Sequence, residues 1–249
     1  MIHAVIWGAG GRMGKRLVKL VLQAPDMILS GAIEAGGHPG VYQDAGYYHQ
    51  LPEAGINLTL DCEPPPDVSH GVVLDFSVSG GIEQAGAWAV KHRWALISGT
   101  TDLTDTGRLA LNSAAEILPV MYAPNFSIGI TLLMKQVARA AALLPENYDA
   151  TIIETHHTGK KDRPSGTALA FEKQLREHGP DRRIEIAGLR AGAVFGEHSI
   201  RFISPMEELI FTHRALDRDV FASGTLEAAR WLVRQKPGLY SFADMMESQ

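Results

Sequence analysis

The 249-residue chain contains one cysteine, Cys62. One thiol can make neither an internal disulfide nor a thiolate-rich metal site, so a reducing compartment is expected, and we read the chain as cytoplasmic. Long apolar runs are missing too: Gly, Pro or a charged residue interrupts each one within about ten residues, whereas a membrane helix needs roughly 20. No membrane association is expected. The opening Met1-Ile2-His3-Ala4-Val5-Ile6-Trp7 has no basic start and runs straight into glycines, so it reads as a first strand and not a secretory leader. Basic side chains are in the minority, 23 Lys plus Arg against 28 Asp plus Glu, for a net charge of -5. That balance argues against a surface built for the nucleic-acid backbone. No H-E-x-x-H and no G-x-S-x-G occurs, so neither a helix-borne metal site nor an acyl-transfer serine is expected. What is abundant is apolar residue, 45% of the chain, enough to bury the core of one or two domains.

In the first half, short apolar segments at 2–7, 27–33, 72–76, 95–97 and 119–122 alternate with helical periodicity at 12–22, 80–91 and 104–118. Alternation of this kind predicts an α/β fold with a parallel sheet and crossover helices. After residue 126 the pattern changes. A helix at 131–144, a strand at 149–155 and a helix at 167–178 precede three strand-like runs at 183–187, 199–203 and 208–214. Strands that follow one another without helices predict a second, α+β domain with an open mixed sheet. A last helix at 220–234 then packs back on the first domain. The predicted division is therefore residues 1–126 with 219–249, and residues 127–218.

Two segments carry chemistry. Gly8-Ala9-Gly10-Gly11-Arg12-Met13-Gly14 joins the first strand to the first helix, and Glu34 ends the second strand 20 residues beyond Gly14. Glycines there permit a tight turn and close approach to a pyrophosphate, the helix start offers N–H groups to the anion, and the acid suits a ribose hydroxyl. The second segment is Glu154-Thr155-His156-His157-Thr158-Gly159-Lys160-Lys161-Asp162-Arg163-Pro164-Ser165-Gly166-Thr167. Five basic or titratable residues lie within eight positions of an acidic chain, followed by a Ser or Thr able to cap a helix, which suits a carboxylate substrate. The two adjacent histidines point to opposite sides of an extended segment, which disfavours a metal. Asp75-Phe76-Ser77 and Gly99-Thr100-Thr101 follow predicted parallel strands at their carboxyl ends, where open α/β sheets bind ligands. Ala123-Pro124-Asn125-Phe126-Ser127 marks the change of domain, as a hinge or as part of a cleft.

Taken together, these residues resemble the 4-hydroxy-tetrahydrodipicolinate reductase family, traditionally dihydrodipicolinate reductase, of diaminopimelate and lysine biosynthesis. The most specific part is Glu154 to Ala168, which is similar to the family's E-x-H-H-x-x-K-x-D-x-P-S-G-T-A signature. Supporting matches are the glycine turn, Gly99-Thr100-Thr101, Ala123 to Ser127, Arg190-Ala191-Gly192 with Gly196-Glu197-His198, and Thr212-His213-Arg214-Ala215. The resemblance implies a Rossmann-type dinucleotide-binding domain and a substrate and oligomerisation domain, with NAD(P)H-dependent reduction of a cyclic dicarboxylate and loss of water. It implies His156 as acid/base residue, Lys160 as the cation that binds and polarises substrate, and His157, Ser165, Gly166 and Thr167 as substrate contacts. For the cofactor it implies Gly8, Gly11, Arg12, Met13, Gly14, Glu34, Gly99, Thr101, Asn125 and Phe126, and for assembly a homotetramer. Two alternatives are a related dehydrogenase acting on another amino-acid-derived imine and a nucleotide-sensing protein without catalysis.

The sequence departs from the family pattern near the cofactor. Many relatives place a basic residue just after the ribose acid, but Glu34 is followed by Ala35-Gly36-Gly37, and Ser77 by Val78-Ser79 where relatives have a basic residue or proline. With no cation among the three residues after Glu34 to neutralise a 2′-phosphate, and Arg12 and Lys15 placed at the glycine turn and helix start, NADH is the expected preference, with NADPH possible.

Overall fold

The computed structural model describes residues 1–78, 80–101 and 103–248, so Ser79 lies outside the described residues. The chain divides into two compact units: Met1–Phe126 together with the segment from Phe221 onward, and Ser127–Val220. The sequence pattern placed the second crossing at 218/219, and the structure has it at 220/221.

The first unit begins β1 (Ile2–Trp7), α1 (Arg12–Gln23), β2 (Met27–Ile33), α2 (Ala45–Tyr48), β3 (Leu58–Thr59), β4 (Val72–Asp75), α3 (Gly81–His92), β5 (Ala95–Ser98), α4 (Asp105–Ala115) and β6 (Pro119–Tyr122). The second unit holds α5 (Ile128–Leu143), β7 (Asp149–His156), α6 (Gly166–His178), β8 (Ile184–Arg190), β9 (Glu197–Ile203) and β10 (Glu208–Arg214). Then α7 (Asp219–Leu232), β11 (Gly238–Tyr240) and α8 (Phe242–Glu247) bring the chain back to the first unit.

In the first unit seven strands form one sheet in the order β11-β6-β5-β4-β1-β2-β3, and every pairing is parallel. The central strands are apolar on both faces, as helices on both sides require. Ala4, Ile6 and Leu74 pack with Leu17 and Val21 of α1 and with Leu226 and Leu232 of α7. Their alternates Val5, Trp7 and Val73 pack with Trp88 of α3 and Leu111 of α4. The returning helix is tied down by Arg230, which donates to both carboxylate oxygens of Asp26 at 2.7 and 2.8 Å. That hydrogen bonding holds the Asp26 carboxyl down at about 2, against an ordinary value near 4. A depressed carboxyl stabilises the fold above its unfolded pKa and loses that contribution as pH falls through the folded one. Both partners are partly exposed, so Asp26→Asn is expected to cost about 0.2–1 kcal/mol at neutral pH. Thermal unfolding of the variant and the parent should converge between about pH 4 and pH 2.

In the second unit the sheet runs β10-β9-β7-β8, with β7 parallel to β8 and the other two pairings antiparallel. This is the mixed sheet expected from the sequence. One face packs on α5 and α6 through Ile152, Ile200, Phe202, Phe171 and Leu175.

Several boundaries differ from the sequence pattern for local reasons. β4 stops at Asp75, because that side chain accepts hydrogen bonds from Ser77, Ser98 and Thr100 and starts a turn. The expected helix at 131–144 begins at Ile128, capped by Ser127 Oγ accepting from the Ile130 N–H at 3.2 Å. The helix expected to reach 118 ends at Ala115, and 116–118 form a turn. The strand expected at 183–187 spans Ile184–Arg190, which carries Arg190 into the sheet. The short elements α2, β3, β11 and α8 are absent from the sequence reading. Each has six residues or fewer, too short for periodicity to reveal.

Candidate active site

In the first unit the glycine turn leaves β1 with Gly8 at φ 77°, and the Gly8 and Ala9 N–H groups both donate to the Ile33 carbonyl. A Cβ on Gly14 would lie 2.3 Å from the Ala9 oxygen, so the first turn of α1 packs against the loop only because that residue has no side chain. Gly11 caps α1 without a side-chain hydrogen bond, and no acidic residue occupies the first turn. The helix start therefore keeps its positive end for an outside anion. Glu34 reaches back across the turn, taking the Gly10 N–H on Oε2 and the Ala35 N–H on Oε1, each at 2.8 Å. Two bonds leave a carboxylate room to accept from ribose hydroxyls. Buried His49 donates its Nε2–H to the Ala9 carbonyl at 2.7 Å, and burial holds its pKa below the ordinary histidine value, which keeps it a neutral donor. A glycine-lined anion cradle beside a free-ended helix and a carboxylate fits a dinucleotide.

Nearby at the strand ends, Asp75 is fully buried and accepts from Ser98 Oγ at 2.7 Å and Thr100 Oγ1 at 2.8 Å. It joins the loop after β4 to the loop after β5. Gly99 lies so close to the Phe76 ring that a Cβ would meet it at 2.2 Å, while Thr101 is exposed. Arg12 is exposed and Met13 packs partly against the core. Asn125 is half-buried, and the Phe126 ring is core, 5.6 Å from Phe76 and 5.3 Å from Phe242, so any ligand contact from Phe126 falls to its backbone.

In the second unit β7 turns Ala150, Ile152, Glu154 and His156 toward the helices. Glu154 is fully buried. It accepts from His156 Nδ1, from the Ser165 N–H at 3.2 Å, and from both terminal nitrogens of Arg190, each at 2.9 Å. Burial raises its pKa, but the Arg190 and His156 hydrogen bonds and charges outweigh that and hold it below the usual carboxylate value. With Nδ1–H given to Glu154, the His156 ring presents Nε2, and Gly196 lies beside that atom, where a Cβ would come within 3.1 Å. Burial lowers the pKa of His156, opposed by Glu154 and aided by Lys160 and Arg190. Behind it, His198 is pushed down to about 3 by burial first and by the His156 charge second; its Nε2 is 3.2 Å from Ser165 Oγ.

The loop between β7 and α6 is held from below. Arg190 donates to the Lys160 carbonyl at 3.2 Å and to the Asp162 carbonyl, and the Lys160 N–H donates to the His157 carbonyl. Lys160 Nζ pairs with Asp162 at 2.9 Å. His157 Nε2 accepts from Arg218 at 3.3 Å. Ser165 caps α6 by accepting the Ala168 N–H, and around Gly166 a Cβ would meet nothing within 4 Å. Gly166 and Thr167 form the exposed and half-buried start of that helix. Thus His156, His157, Lys160, Ser165, Gly166 and Thr167 share one short loop and helix start, while Gly8, Gly11, Arg12, Gly14 and Glu34 gather at one turn of the first unit.

Sequence reasoning assigned no role to Glu154, Arg190, His198, His49 or Asp75. For Glu154 a signal was present: an acid in the inward row of an otherwise apolar strand, two residues before a histidine. Arg190 lies in a stretch that matches the family, but at 36 residues from Glu154 nothing in the chain signals that the two pair.

Residues 2–126 match the family model described as dihydrodipicolinate reductase, N-terminus, and residues 129–246 the one described as dihydrodipicolinate reductase, C-terminus. The 4-hydroxy-tetrahydrodipicolinate reductase of Myxococcus xanthus is 36% identical over 269 residues, spanning 100% of this chain and 99% of the relative. That of Stenotrophomonas maltophilia is 37% identical over 246 residues, spanning 99% and 98%. A solved structure, dipicolinate-bound dihydrodipicolinate reductase from Paenisporosarcina sp. TG-14, shares the fold with a TM-score of 0.78 over 97% of each chain at 23% identity. Two matched halves and full-length relatives above 30% identity place the chain: it belongs to the dihydrodipicolinate reductase family and is a nicotinamide-dependent oxidoreductase.

Proposed function

We propose that the chain reduces 4-hydroxy-2,3,4,5-tetrahydrodipicolinate to tetrahydrodipicolinate, with loss of water, in diaminopimelate and lysine biosynthesis. The observation that carries the reading is the Glu154–His156 pair at the end of β7, directly before the loop that holds Lys160 and the capped start of α6. A reduced nicotinamide, when bound, would supply hydride to the conjugated imine that forms when the 4-hydroxyl leaves as water. The chain's residues do the rest. The helix-start amides of Gly166 and Thr167, with the Ser165 hydroxyl, suit one substrate carboxylate, and Lys160 adds the positive charge that a dianion needs. His156 delivers a proton from Nε2, because Nδ1 is engaged by Glu154. Gly8, Gly11, Arg12, Met13, Gly14, Glu34, Gly99, Thr101, Asn125 and Phe126 are the residues we assign to the cofactor. Incubating the purified chain with freshly made cyclic substrate and each reduced nicotinamide tests the reading. Oxidation of the nicotinamide only when that diacid is present supports it, and oxidation with a different imine alone refutes it.

NADH is the cofactor we assign as preferred. The Glu34 carboxylate favours a 2′-hydroxyl and repels a 2′-phosphate. Ala35, Gly36 and Gly37 carry no compensating cation. The His38 ring is engaged, with Nδ1 accepting from the Gly40 N–H at 3.2 Å and a T-shaped contact with Tyr48 at 5.3 Å between ring centres. A charge conflict of about 1.4 kcal/mol corresponds to roughly tenfold discrimination, so kcat/KM should favour NADH at least several-fold. Ala35→Arg should move the ratio toward NADPH. A ratio of one in the parent would place control with other cations.

The assembly we assign is a homotetramer. The face of the second sheet turned away from α5 and α6 exposes Leu189, Ile203 and Ile210, about 50%, 38% and 48% accessible, among Thr151, Ile153 and Thr155. An apolar sheet face of that kind is usually covered. Light scattering should report about four times 27.0 kDa, and Leu189→Asp with Ile210→Asp should reduce it. A parent mass near 27.0 kDa would contradict the assignment. The single cysteine, Cys62, suits a reducing compartment, and the cytoplasm is the one we assign.

A further inference from the structure

Glu154 meets His156, the Ser165 N–H and Arg190, although the proton transfer itself calls on no carboxylate. Among the described residues it is the one buried acid in that sheet, and space is reserved for it. Its partner across the parallel pair β7/β8 is Gly188, where a Cβ would lie 2.7 Å from Glu154 Oε1. A buried carboxylate is tolerated only when paired and hydrogen-bonded, and here Arg190 approaches both oxygens. Arg190 in turn holds the Lys160 and Asp162 carbonyls.

We propose that Glu154 and Arg190 are a positioning pair for the reaction. Glu154 fixes His156 with Nδ1 protonated and Nε2 facing substrate and anchors the cap of α6 through the Ser165 N–H, while Arg190 sets Glu154 and the Lys160–Asp162 segment in one geometry. The proposal rests on His156 as the proton donor. The groups facing His156 are Glu154 on its own strand, Arg190 on β8, His198 on β9 and Lys160 on the loop, with Asp162 paired to Lys160. Glu154 is the negative group against the ring, and the cations oppose it. Neither residue of the pair is assigned to touch substrate. Their effect is felt through the ring, as an acid strength and an orientation.

The two charges predict opposite signs, which a merely structural role would not produce. In kcat/KM against pH, activity falls as pH rises through the His156 pKa, because the proton donor is lost. Glu154→Gln removes the negative charge and leaves Arg190 and Lys160 facing the ring, so that limb should move about one unit or more to lower pH. Arg190→Met should move it to higher pH. In both variants kcat should fall about tenfold or more while KM changes less, since the loss is of orientation and acid strength. Nitrogen NMR of the parent should show neutral His156 protonated at Nδ1, and Glu154→Gln should lose that preference. If Glu154→Gln does not fold, Arg190→Met carries the test by itself, the upward shift supporting the pair and an unmoved limb overturning it. His156→Ala separates the two levels. Full activity in His156→Ala refutes the proton-donor reading and the pair with it. Inactivity in His156→Ala with an unmoved limb in the pair variants overturns the pair alone.

Discussion

Replacing His156 with alanine should lower kcat by about 100- to 10,000-fold, the usual contribution of a positioned general acid. Its Nδ1 is committed to Glu154, so Nε2 is the atom left for a proton transfer, and Gly196 keeps side-chain bulk away from it. The substitution should leave the fold in place. His156 ends β7, and the core of the second unit is carried by Ile152, Phe171, Leu175, Ile200 and Phe202. Circular dichroism and thermal unfolding close to the parent, together with the loss of turnover, are the expected result. A small change in kcat with a well-folded variant would remove His156 from the chemistry. The parent's pH dependence follows the same sign. Burial, only partly offset by Glu154, lowers the His156 pKa below the ordinary value, so the free enzyme should lose kcat/KM as pH rises through that depressed pKa.

Lys160→Ala should cost about 100- to 1,000-fold in kcat, the scale seen when a fixed electrostatic group facing developing charge is removed. The loop's shape does not depend on the side chain. The Lys160 N–H is held by the His157 carbonyl, and Arg190 holds the Lys160 and Asp162 carbonyls. Truncation therefore removes a charge from a loop that stays where it is. In the structure that charge pairs with Asp162, about a quarter of the Lys160 side chain being exposed. A dianionic substrate would compete with Asp162 for it. Weaker binding of dicarboxylate inhibitors by Lys160→Ala in calorimetry would accompany the kinetic loss. Unchanged kcat and unchanged inhibitor binding would show that the cation serves only the ion pair.

Much of this was legible in the sequence because it is local. Strands buried on both faces read as apolar runs, so β1, β2 and β6 appear at their observed bounds. The glycine turn reads as one because Gly8 takes a positive φ and Gly14 packs against backbone, and both demands fall on nearby positions. The histidines, lysine and capping serine likewise sit in a single loop. What escaped is either short or distant. α2 depends on Asp44 capping four residues, and β11 exists only because its three residues pair with β6. Arg190 meets Glu154 through a parallel strand pairing that no periodicity reveals. Phe126 marks another limit, since its ring is core and the sequence does not tell a side-chain contact from a backbone one. His49, which steadies the Ala9 carbonyl, arrives from 40 residues further along the chain, outside the segments that carried a motif.

The most direct measurement uses reduced nicotinamide carrying deuterium at the transferring carbon, with freshly generated 4-hydroxy-2,3,4,5-tetrahydrodipicolinate and the intact chain. Mass spectrometry of the product should show tetrahydrodipicolinate one mass unit heavier than that from unlabelled cofactor, formed by the parent and almost absent with His156→Ala. Unlabelled product, or no product while the chain still binds the nicotinamide, would contradict the assignment of hydride transfer to this site.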